Sequence, residues 1–284
     1  MTRKKNSPEE ALAIMRWYID AGCDEAVMEC PVNVYTDVGK IASHSVPERV
    51  LEETGFRKKP KIIGPSQALV DSPEPLQGTP SSNAKLLSAR CENLSQLREA
   101  MSSFQGCSLK ETAVNLVFGT GDPLADLMFV GEAPGADEDR EGEPFIGASG
   151  RLLDQMISAI GLRRGDVYIT NVVPWRPLGN RKPSSDECLT CLPFIQRQIA
   201  LIKPRVLVFL GGTAANALVG TREGITRLRG RWLLYQDSED TSGRQGIPAM
   251  PTFHPAYLLR QSSLKRESWH DFLSVRERLR AEQL

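Results

Sequence analysis

Residues 127–147 read LMFVGEAPGADEDREGEPFIG and join a short apolar run to a loop that packing alone explains poorly. The run 127–130 is apolar throughout and has the length of a buried β-strand. The loop that follows carries six carboxylates and has Phe145 near its end. Glycines permit a tight backbone and close ligand approach, prolines stiffen a loop, and carboxylates can position or deprotonate water. The stretch therefore predicts a strand followed by an active-site loop.

Two common phosphate-binding motifs do not fit this loop. The spacing of Gly131, Gly135 and Gly142 differs from that of a dinucleotide-binding motif, and no Gly-Lys-Ser/Thr follows as in a P-loop. A solvated acidic loop without a catalytic role is the alternative that these residues leave open.

From residue 126 onward, short apolar runs alternate with amphipathic stretches. Strands are expected at 127–130, 167–170, 206–210 and 249–253, and helices at 149–160, 185–202 and 213–219. The expected helix N-caps are Ser149, Ser185 and Thr213. This βαβ alternation predicts an α/β protein with three α/β/α layers around a central, mostly parallel four-stranded sheet. Ligands are expected at the carboxyl ends of the strands.

The first 85 residues are expected to be an extension of the main domain. Apolar positions within 8–22 predict a short amphipathic helix, and the stretch 35–82, rich in Pro, Ser, Gly and charge, indicates a linker or partly disordered segment. A helical pattern at 83–101 leads into the rest of the chain. We therefore expect an N-terminal extension, 1–85, and a catalytic domain, 86–284.

Composition restricts the class of protein only loosely. The 284 residues carry 35 Lys and Arg against 35 Asp and Glu, so net charge does not indicate a polyanion partner, although a local basic face can still contact phosphates. No run of about 18 apolar residues and no secretory signal is found, which favours a cytoplasmic protein without a membrane partner. Six cysteines are then expected to be reduced thiols or metal ligands.

Three further clusters follow the other expected strands. Asn171 offers a donor and an acceptor side by side, which match the edge of a pyrimidine. The segment 211–213, GGT, opens a helix whose N-terminus can bind an anion. The segment 254–260, HPAYLLR, carries two leucines that can fill a vacated base stack and an arginine that can bind phosphate. Each cluster alone is equally well explained by a turn or a helix start.

Taken together, these motifs closely resemble those of the family 4 uracil-DNA glycosylases. The matching segments are GEAPG at 131–135 with Glu-Asp at 138–139, GxPFIG at 142–147, YITN at 168–171, RPxGNR at 176–181, RGRW at 229–232 and HPAYLLR at 254–260. They cover about residues 104–280 in unbroken order. The resemblance implies a monofunctional DNA N-glycosylase, expected to be a monomer. It would flip uracil out of DNA and hydrolyse its N-glycosidic bond, leaving an abasic site for base excision repair.

The resemblance also implies roles for individual residues. Phe145 would stack on the uracil ring and Asn171 would hydrogen-bond its Watson–Crick edge. His254 would stabilise the departing uracil anion, and Glu132 would hold the attacking water or stabilise the sugar cation. The implied uracil pocket consists of Gly131, Ala133, Phe145, Asn171 and His254. The implied DNA contacts are Gly147, Ser149, Gly211, Gly212, Thr213, Leu258, Leu259 and Arg260.

The cysteines depart from the family pattern. Family members usually carry four cysteine ligands for a [4Fe–4S] cluster, but here only Cys107 and Cys191 match, and Phe104 and Trp175 stand at the other two positions. Two thiolates do not hold such a cluster in the usual way. We therefore expect a relative with no cofactor or metal, in which the two aromatic side chains fill the cluster's space. The alternative is that two other cysteines replace the missing ligands: Cys91 and Cys188.

Two other functions compete with the glycosylase. One is a uracil-DNA binding or sensor protein of the same fold that does not turn over. Relatives that trap uracil-DNA covalently use a histidine in an inserted loop, and here no histidine occurs between His44 and His254, and nothing is inserted around 142–144. This disfavours the trapping mode. The other is an unrelated α/β hydrolase acting on a nucleotide or another small substrate.

Overall fold

The computed structural model of the protein describes residues 79–236 and 246–281. The amphipathic helix expected at 8–22 and nearly all of the linker expected at 35–82 lie outside these ranges. No helix in the two described ranges is long and apolar enough to cross a membrane.

A six-stranded sheet forms the centre of the domain, in the order β1-β3-β2-β4-β6-β5. The four inner strands are parallel, and the two edge strands run antiparallel to their neighbours. The strands are β1 (Thr120–Gly121), β2 (Leu127–Gly131), β3 (Tyr168–Asn171), β4 (Val206–Leu210), β5 (Leu233–Tyr235) and β6 (Ile247–Thr252). The α/β class and the parallel inner strands are confirmed. The strand number of four is wrong, because edge strands of two and three residues are too short to show a period in the sequence.

Helices cover both faces of the sheet. They are α1 (Pro80–Ala89), α2 (Leu94–Ser103), α3 (Leu109–Thr112), α4 (Ala136–Glu141), α5 (Ala148–Ala159), α6 (Ser185–Ile202), α7 (Gly212–Val219), α8 (Ile225–Leu228), α9 (Pro255–Arg260) and α10 (Lys265–Ala281). Met128 and Val130 of β2 face a hydrophobic cluster shared with α1, α2, α6 and α7. Leu127 and Phe129 face a second cluster with α5 and α10. This alternation along β2 places one core on each side of the sheet.

The expected helix starts need correction. The pattern at 83–101 forms two helices, because the side chain of Asn93 accepts from the N–H of Gln96 and starts α2 afresh. The N-caps expected at Ser149, Ser185 and Thr213 are wrong. Each observed N-cap lies one or two residues earlier, at Gly147, Ser184 and Gly211.

Helix α1 belongs to the folded domain. It begins at Pro80, inside the stretch expected to be a linker, and its Ala84 lies in the hydrophobic cluster that packs on the sheet. The hydroxyl of Ser81 donates to the carbonyl of Leu189 in α6 at 3.2 Å. The boundary expected at residue 85 falls within this helix, and the division of the chain into an extension and a catalytic domain stays a prediction.

Strand register brings the site residues to one edge of the sheet. Gly131 pairs with Asn171 across β2 and β3, and Leu210 pairs with Thr252 across β4 and β6. The segments that follow these parallel strands therefore emerge side by side at their carboxyl ends.

Candidate active site

A cleft of about 750 Å³ lies at the carboxyl edge of the sheet. It is lined by residues that follow all four inner strands. Of the expected site residues, those that line it are Glu132, Ala133, Phe145, Ser149, Asn171, Gly211, Gly212, Thr213, His254 and Arg260. A second cavity of about 400 Å³ surrounds Asp126 and Arg276 at the opposite edge, and no expected site residue lines it.

The acidic loop after β2 is organised by one of its own carboxylates. Glu138 is buried in the short helix α4, and its carboxylate accepts from the N–H groups of Gly135 at 3.1 Å, Ile146 at 3.2 Å and Gly147 at 3.1 Å. This ties both ends of the loop together. Sequence reasoning missed this structural role, although Glu138 stands three residues after the N-cap, where an acidic side chain can reach back to it. Gly147, expected to contact DNA, gives its N–H to this carboxylate.

Phe145 is held in an unusual backbone conformation. Its φ is +54°, a left-handed value that is uncommon for a side chain of this size. Two glycines make room for it. A Cβ on Gly150 would collide with the Phe145 carbonyl, and a Cβ on Gly131 would lie 2.5 Å from Cζ of the Phe145 ring. The loop therefore presents the aromatic ring beside the end of β2.

Asn171 offers an unsatisfied hydrogen-bonding group to the cleft. Its side chain is buried, and within the described part of the chain its Oδ1 has no hydrogen-bond partner. The same oxygen lies so close to Gly131 that a Cβ there would clash with it. Because an unpaired buried acceptor costs about 1–3 kcal/mol, this oxygen is a natural acceptor for a ligand N–H.

Glu132 is fixed by both its backbone and its side chain. The N–H of Val173 donates to the carbonyl of Glu132 at 3.0 Å, which extends the pairing of β2 with β3 beyond the strand ends. The hydroxyl of Thr213, at the start of α7, donates to Glu132 Oε2. Thr213 was expected to contact DNA, whereas the structure turns its hydroxyl onto the carboxylate. This contact links two segments that are 81 residues apart in the chain.

His254 is neutral and has a defined tautomer. It caps α9, and its Nδ1 accepts from the N–H of Ala256 at 3.1 Å, so the ring proton is on Nε2. Burial, and then the charge of Arg260, lower the pKa of His254 to about 4. Its ring stacks on that of Phe145, with the centroids 5.5 Å apart and the planes 29° apart. The site thus combines an aromatic face, a free amide oxygen, a carboxylate and a neutral imidazole.

The two adjacent leucines of α9 face different surroundings. Leu258 is 1% exposed and belongs to the domain interior, whereas Leu259 is 40% exposed. Neighbouring residues on a helix point about 100° apart, so both cannot enter the same DNA gap. The expectation that Leu258 fills a vacated base stack does not fit its burial. Leu259 and Arg260 are both exposed, and Arg260 lines the cleft.

Basic side chains that sequence reasoning did not assign also line the cleft. Arg181 and Lys182 follow β3 on an exposed loop. Arg181 is paired with Glu187 at 2.6 Å, and Lys182 and Arg260 also line the cleft. In the sequence, the adjacent basic residues at 181–182 could have indicated these cleft side chains.

The four positions that correspond to cluster ligands form an apolar, thiol-containing core. The rings of Phe104 and Trp175 stack with centroids 6.4 Å apart, and Phe104 packs edge-on against Phe194 at 5.1 Å. Cys107 and Cys191 are buried with their sulfurs 3.9 Å apart. Among residues 79–236 and 246–281, no group of three or more His, Cys, Asp or Glu side chains is placed to hold a metal ion. These residues do not provide the four thiolates that a [4Fe–4S] cluster requires.

The two alternative cysteines, Cys91 and Cys188, have different surroundings. The thiol of Cys91 donates to the carbonyl of Leu87 in its own helix at 3.2 Å. Cys188 lies in α6 and is half-buried, and burial raises the pKa of its thiol to about 11.

Comparison with known proteins gives the same family for most of the described domain. The family model described as the Uracil DNA glycosylase superfamily matches residues 118–273. The type-4 uracil-DNA glycosylase of Sulfurisphaera tokodaii is 40% identical over 191 residues, which cover 66% of this chain and 84% of that protein. The corresponding protein of Archaeoglobus fulgidus is 39% identical over 190 residues, covering 66% of this chain and 93% of that protein.

A more distant relative shares a smaller part of the chain. The type-5 uracil-DNA glycosylase of Thermus thermophilus is 36% identical over 116 residues, which cover 36% of this chain and 52% of that protein. The matched superfamily region, residues 118–273, contains all six strands of the sheet and every residue that lines the cleft. This chain belongs to the uracil DNA glycosylase superfamily.

Proposed function

We propose that this protein is a monofunctional uracil-DNA glycosylase. It hydrolyses the N-glycosidic bond of deoxyuridine in DNA and leaves an abasic site, the first product of base excision repair. The observation that carries the assignment is the buried, unpaired Oδ1 of Asn171, placed in one cleft with Phe145, Glu132 and His254. The type-4 relatives support the same activity.

Uracil recognition uses an amide and an aromatic face. Asn171 Oδ1 accepts from N3–H of uracil, and its side-chain NH₂ donates to O4. Cytosine carries an acceptor at N3 and a donor at C4, so the same amide rejects it. Phe145 stacks on the flipped base, an interaction of about 1–3 kcal/mol. Gly131 and Ala133 form the backbone wall next to these two side chains.

Bond cleavage uses Glu132 for the water and the sugar. Because the Thr213 hydroxyl occupies Oε2, we assign Oε1 to the attacking water. The carboxylate orients this water toward C1′ and offsets the positive charge that develops on the sugar. Thr213 acts as a positioning residue in this scheme.

The leaving uracil is stabilised by a hydrogen bond from a neutral histidine. With Nδ1 engaged by Ala256, the Nε2–H of His254 is directed at O2 of the departing base. A preorganised donor in a water-poor site stabilises the developing anion without itself changing charge. Protonation of the histidine is therefore not part of the proposed mechanism.

DNA binding combines an exposed wedge with nearby cations and backbone N–H groups. Leu259 enters the gap left by the flipped nucleotide, and Arg260 and Lys182 contact phosphates. The backbone around Gly211 and Gly212, and Ser149 in the first turn of α5, lie on the same rim of the cleft. Flipping costs a few kcal/mol, which these contacts offset.

We also propose that the protein holds no iron–sulfur cluster and that it works as a monomer in the cytoplasm. The stacked rings of Phe104 and Trp175, which stand at two of the four ligand positions, support the absence of the cluster. Iron and sulfide analysis of the purified protein, with absorbance near 400 nm, tests the first point. Stoichiometric iron would refute it.

The activity is tested with a single uracil in a labelled oligonucleotide. After incubation and alkali treatment, strand cleavage at the uracil is expected, and an otherwise identical oligonucleotide with cytosine stays intact. Asn171→Ala, Glu132→Ala and His254→Ala should each lose turnover while retaining the far-UV circular dichroism of the folded protein. A stoichiometric complex without cleavage would instead indicate a sensor. If the protein neither binds nor cleaves this oligonucleotide, the uracil assignment is wrong.

A further inference from the structure

Two buried thiols lie against each other outside the proposed catalytic chemistry. Cys107 precedes α3 and Cys191 lies in α6, and the Cys191 thiol donates to the Cys107 sulfur across 3.9 Å. The residues are 84 positions apart in the chain, so only the fold brings them together. A disulfide needs sulfurs about 2.05 Å apart, so the two sulfurs must approach by about 2 Å for the bond to form.

The surroundings make the two sulfurs unequal. The Cys191 thiol is the hydrogen-bond donor and the Cys107 sulfur is the acceptor. Cys107 is therefore the sulfur that reacts first as a thiolate, and Cys191 is the neighbouring thiol. Geometry places the donor and the acceptor of this pair in direct contact.

We propose that Cys107 and Cys191 form a redox-active dithiol, which a small hydroperoxide such as hydrogen peroxide converts to a reversible intramolecular disulfide. The Cys107 thiolate attacks one peroxide oxygen, the O–O bond breaks, and the products are a sulfenic acid and hydroxide, which takes up a proton to become water. Cys191 then attacks the sulfenic sulfur, the S–O bond breaks, and the thiol proton leaves with the hydroxyl as a second water. The two sulfurs lose two electrons in total, and the peroxide gains them.

The disulfide acts as a clamp on one side of the domain. It ties the segment before α3 to the middle of α6, across the aromatic core formed by Phe104, Trp175 and Phe194. Closing a loop of this length restricts the unfolded chain and favours the folded state. The inference rests on the proposal that the thiols hold no cluster, and it is independent of the glycosylase activity.

Peptide mapping of the full-length protein tests the pair directly. After treatment with hydrogen peroxide and blocking of free thiols, we expect one peptide pair that joins Cys107 to Cys191, with a mass 2 Da below the sum of the two reduced peptides. The melting temperature should rise by roughly 5 °C or more and return to its starting value with dithiothreitol.

Matched variants separate this reaction from general oxidation. Cys107→Ser and Cys191→Ser should abolish both the cross-link and the thermal shift. Cys91→Ser should leave both unchanged, since the Cys91 thiol donates to the Leu87 carbonyl and not to a sulfur. Peroxide that leaves the pair uncrosslinked, or that links these cysteines to others, would overturn the inference. Stoichiometric iron and sulfide in an active enzyme would overturn it too, while leaving the glycosylase assignment intact.

Discussion

The hydroxyl of Thr213 donates to one oxygen of Glu132, and in the proposed mechanism the other oxygen orients the attacking water. The sequence predicted that both residues belong to the site, since each follows a strand end. It could not predict that they contact each other, because 81 residues separate them and only the parallel pairing of β2 with β4 brings their segments together. The role of a polar residue at a strand end thus depends on its neighbours in space.

Thr213→Val should lower the rate of base release with little effect on substrate binding. Removing one hydrogen bond to a charged group is worth about 1.5–3 kcal/mol, so kcat should fall roughly 10- to 100-fold. Single-turnover kinetics on a uracil oligonucleotide measure this. Thr213→Ser keeps the hydroxyl and should retain most of the rate. An unchanged kcat with a raised KM would instead support the phosphate contact first expected for Thr213.

His254 should titrate near pH 4 and remain neutral at working pH. An unfolded histidine binds its proton near pH 6.5, so between pH 6.5 and 4 the unfolded state holds more protons than the folded state. The contribution to stability, up to about 3 kcal/mol, is therefore present above pH 6.5 and is lost as the pH falls toward 4. NMR titration of the imidazole, with His254→Asn to assign the signal, gives the midpoint. A midpoint near 6.5 would contradict the burial argument.

At the scale of elements, the parallel strands were predictable and the helix ends were not. Runs such as 206–210 are apolar throughout because both faces of the sheet are covered, and this signal is strong in the sequence. Strands β1 and β5 carry no such signal, since they are short and lie at the edges. Helices α5 and α7 are capped by glycines whose N–H groups donate to residues outside these helices: Gly147 to the Glu138 carboxylate and Gly211 to the Thr252 carbonyl. The sequence next to each glycine does not indicate these hydrogen-bond partners.

Substitutions of the two leucines of α9 should distinguish an effect on protein stability from an effect on base release. Leu259→Ala should lower base release from duplex DNA roughly 10-fold or more and affect single-stranded DNA much less, because only a duplex leaves a gap to fill. Leu258→Ala should instead destabilise the fold by about 2–5 kcal/mol, since its side chain is buried. Denaturant unfolding and paired kinetic assays on the two substrates measure these effects. Equal losses on both DNA forms for Leu259→Ala would refute its role as a wedge.

At the scale of the whole molecule, the packing between α1, α2 and α6 depends on large side chains. Trp175 is 2% exposed and sits beside Phe104 and Phe194 in the larger hydrophobic cluster. The sequence indicated that aromatic residues occupy two of the usual ligand positions. The contact of both cysteines with each other was not predictable, because it depends on how α6 packs against the segment before α3. The fold class follows from periodicity, whereas such contacts follow from packing.

Trp175→Ala should be strongly destabilising. Removal of a buried aromatic side chain of this size costs about 3–5 kcal/mol, because both its contacts and the space it fills are lost. Trp269→Ala is the matched control, since Trp269 lies on α10 and is 38% exposed, and it should lose much less stability. Chemical denaturation of both variants gives the comparison. A small effect at Trp175 would show that the core does not depend on this replacement of a ligand position.

The stacked rings of Phe145 and His254 also limit how a base can enter. A base inserted between two parallel rings needs them separated by roughly twice the 3.4 Å spacing of stacked bases, whereas these centroids are 5.5 Å apart. The gap between the two rings, as they stand, is therefore too narrow for a base, and one ring must move before a base can lie between them.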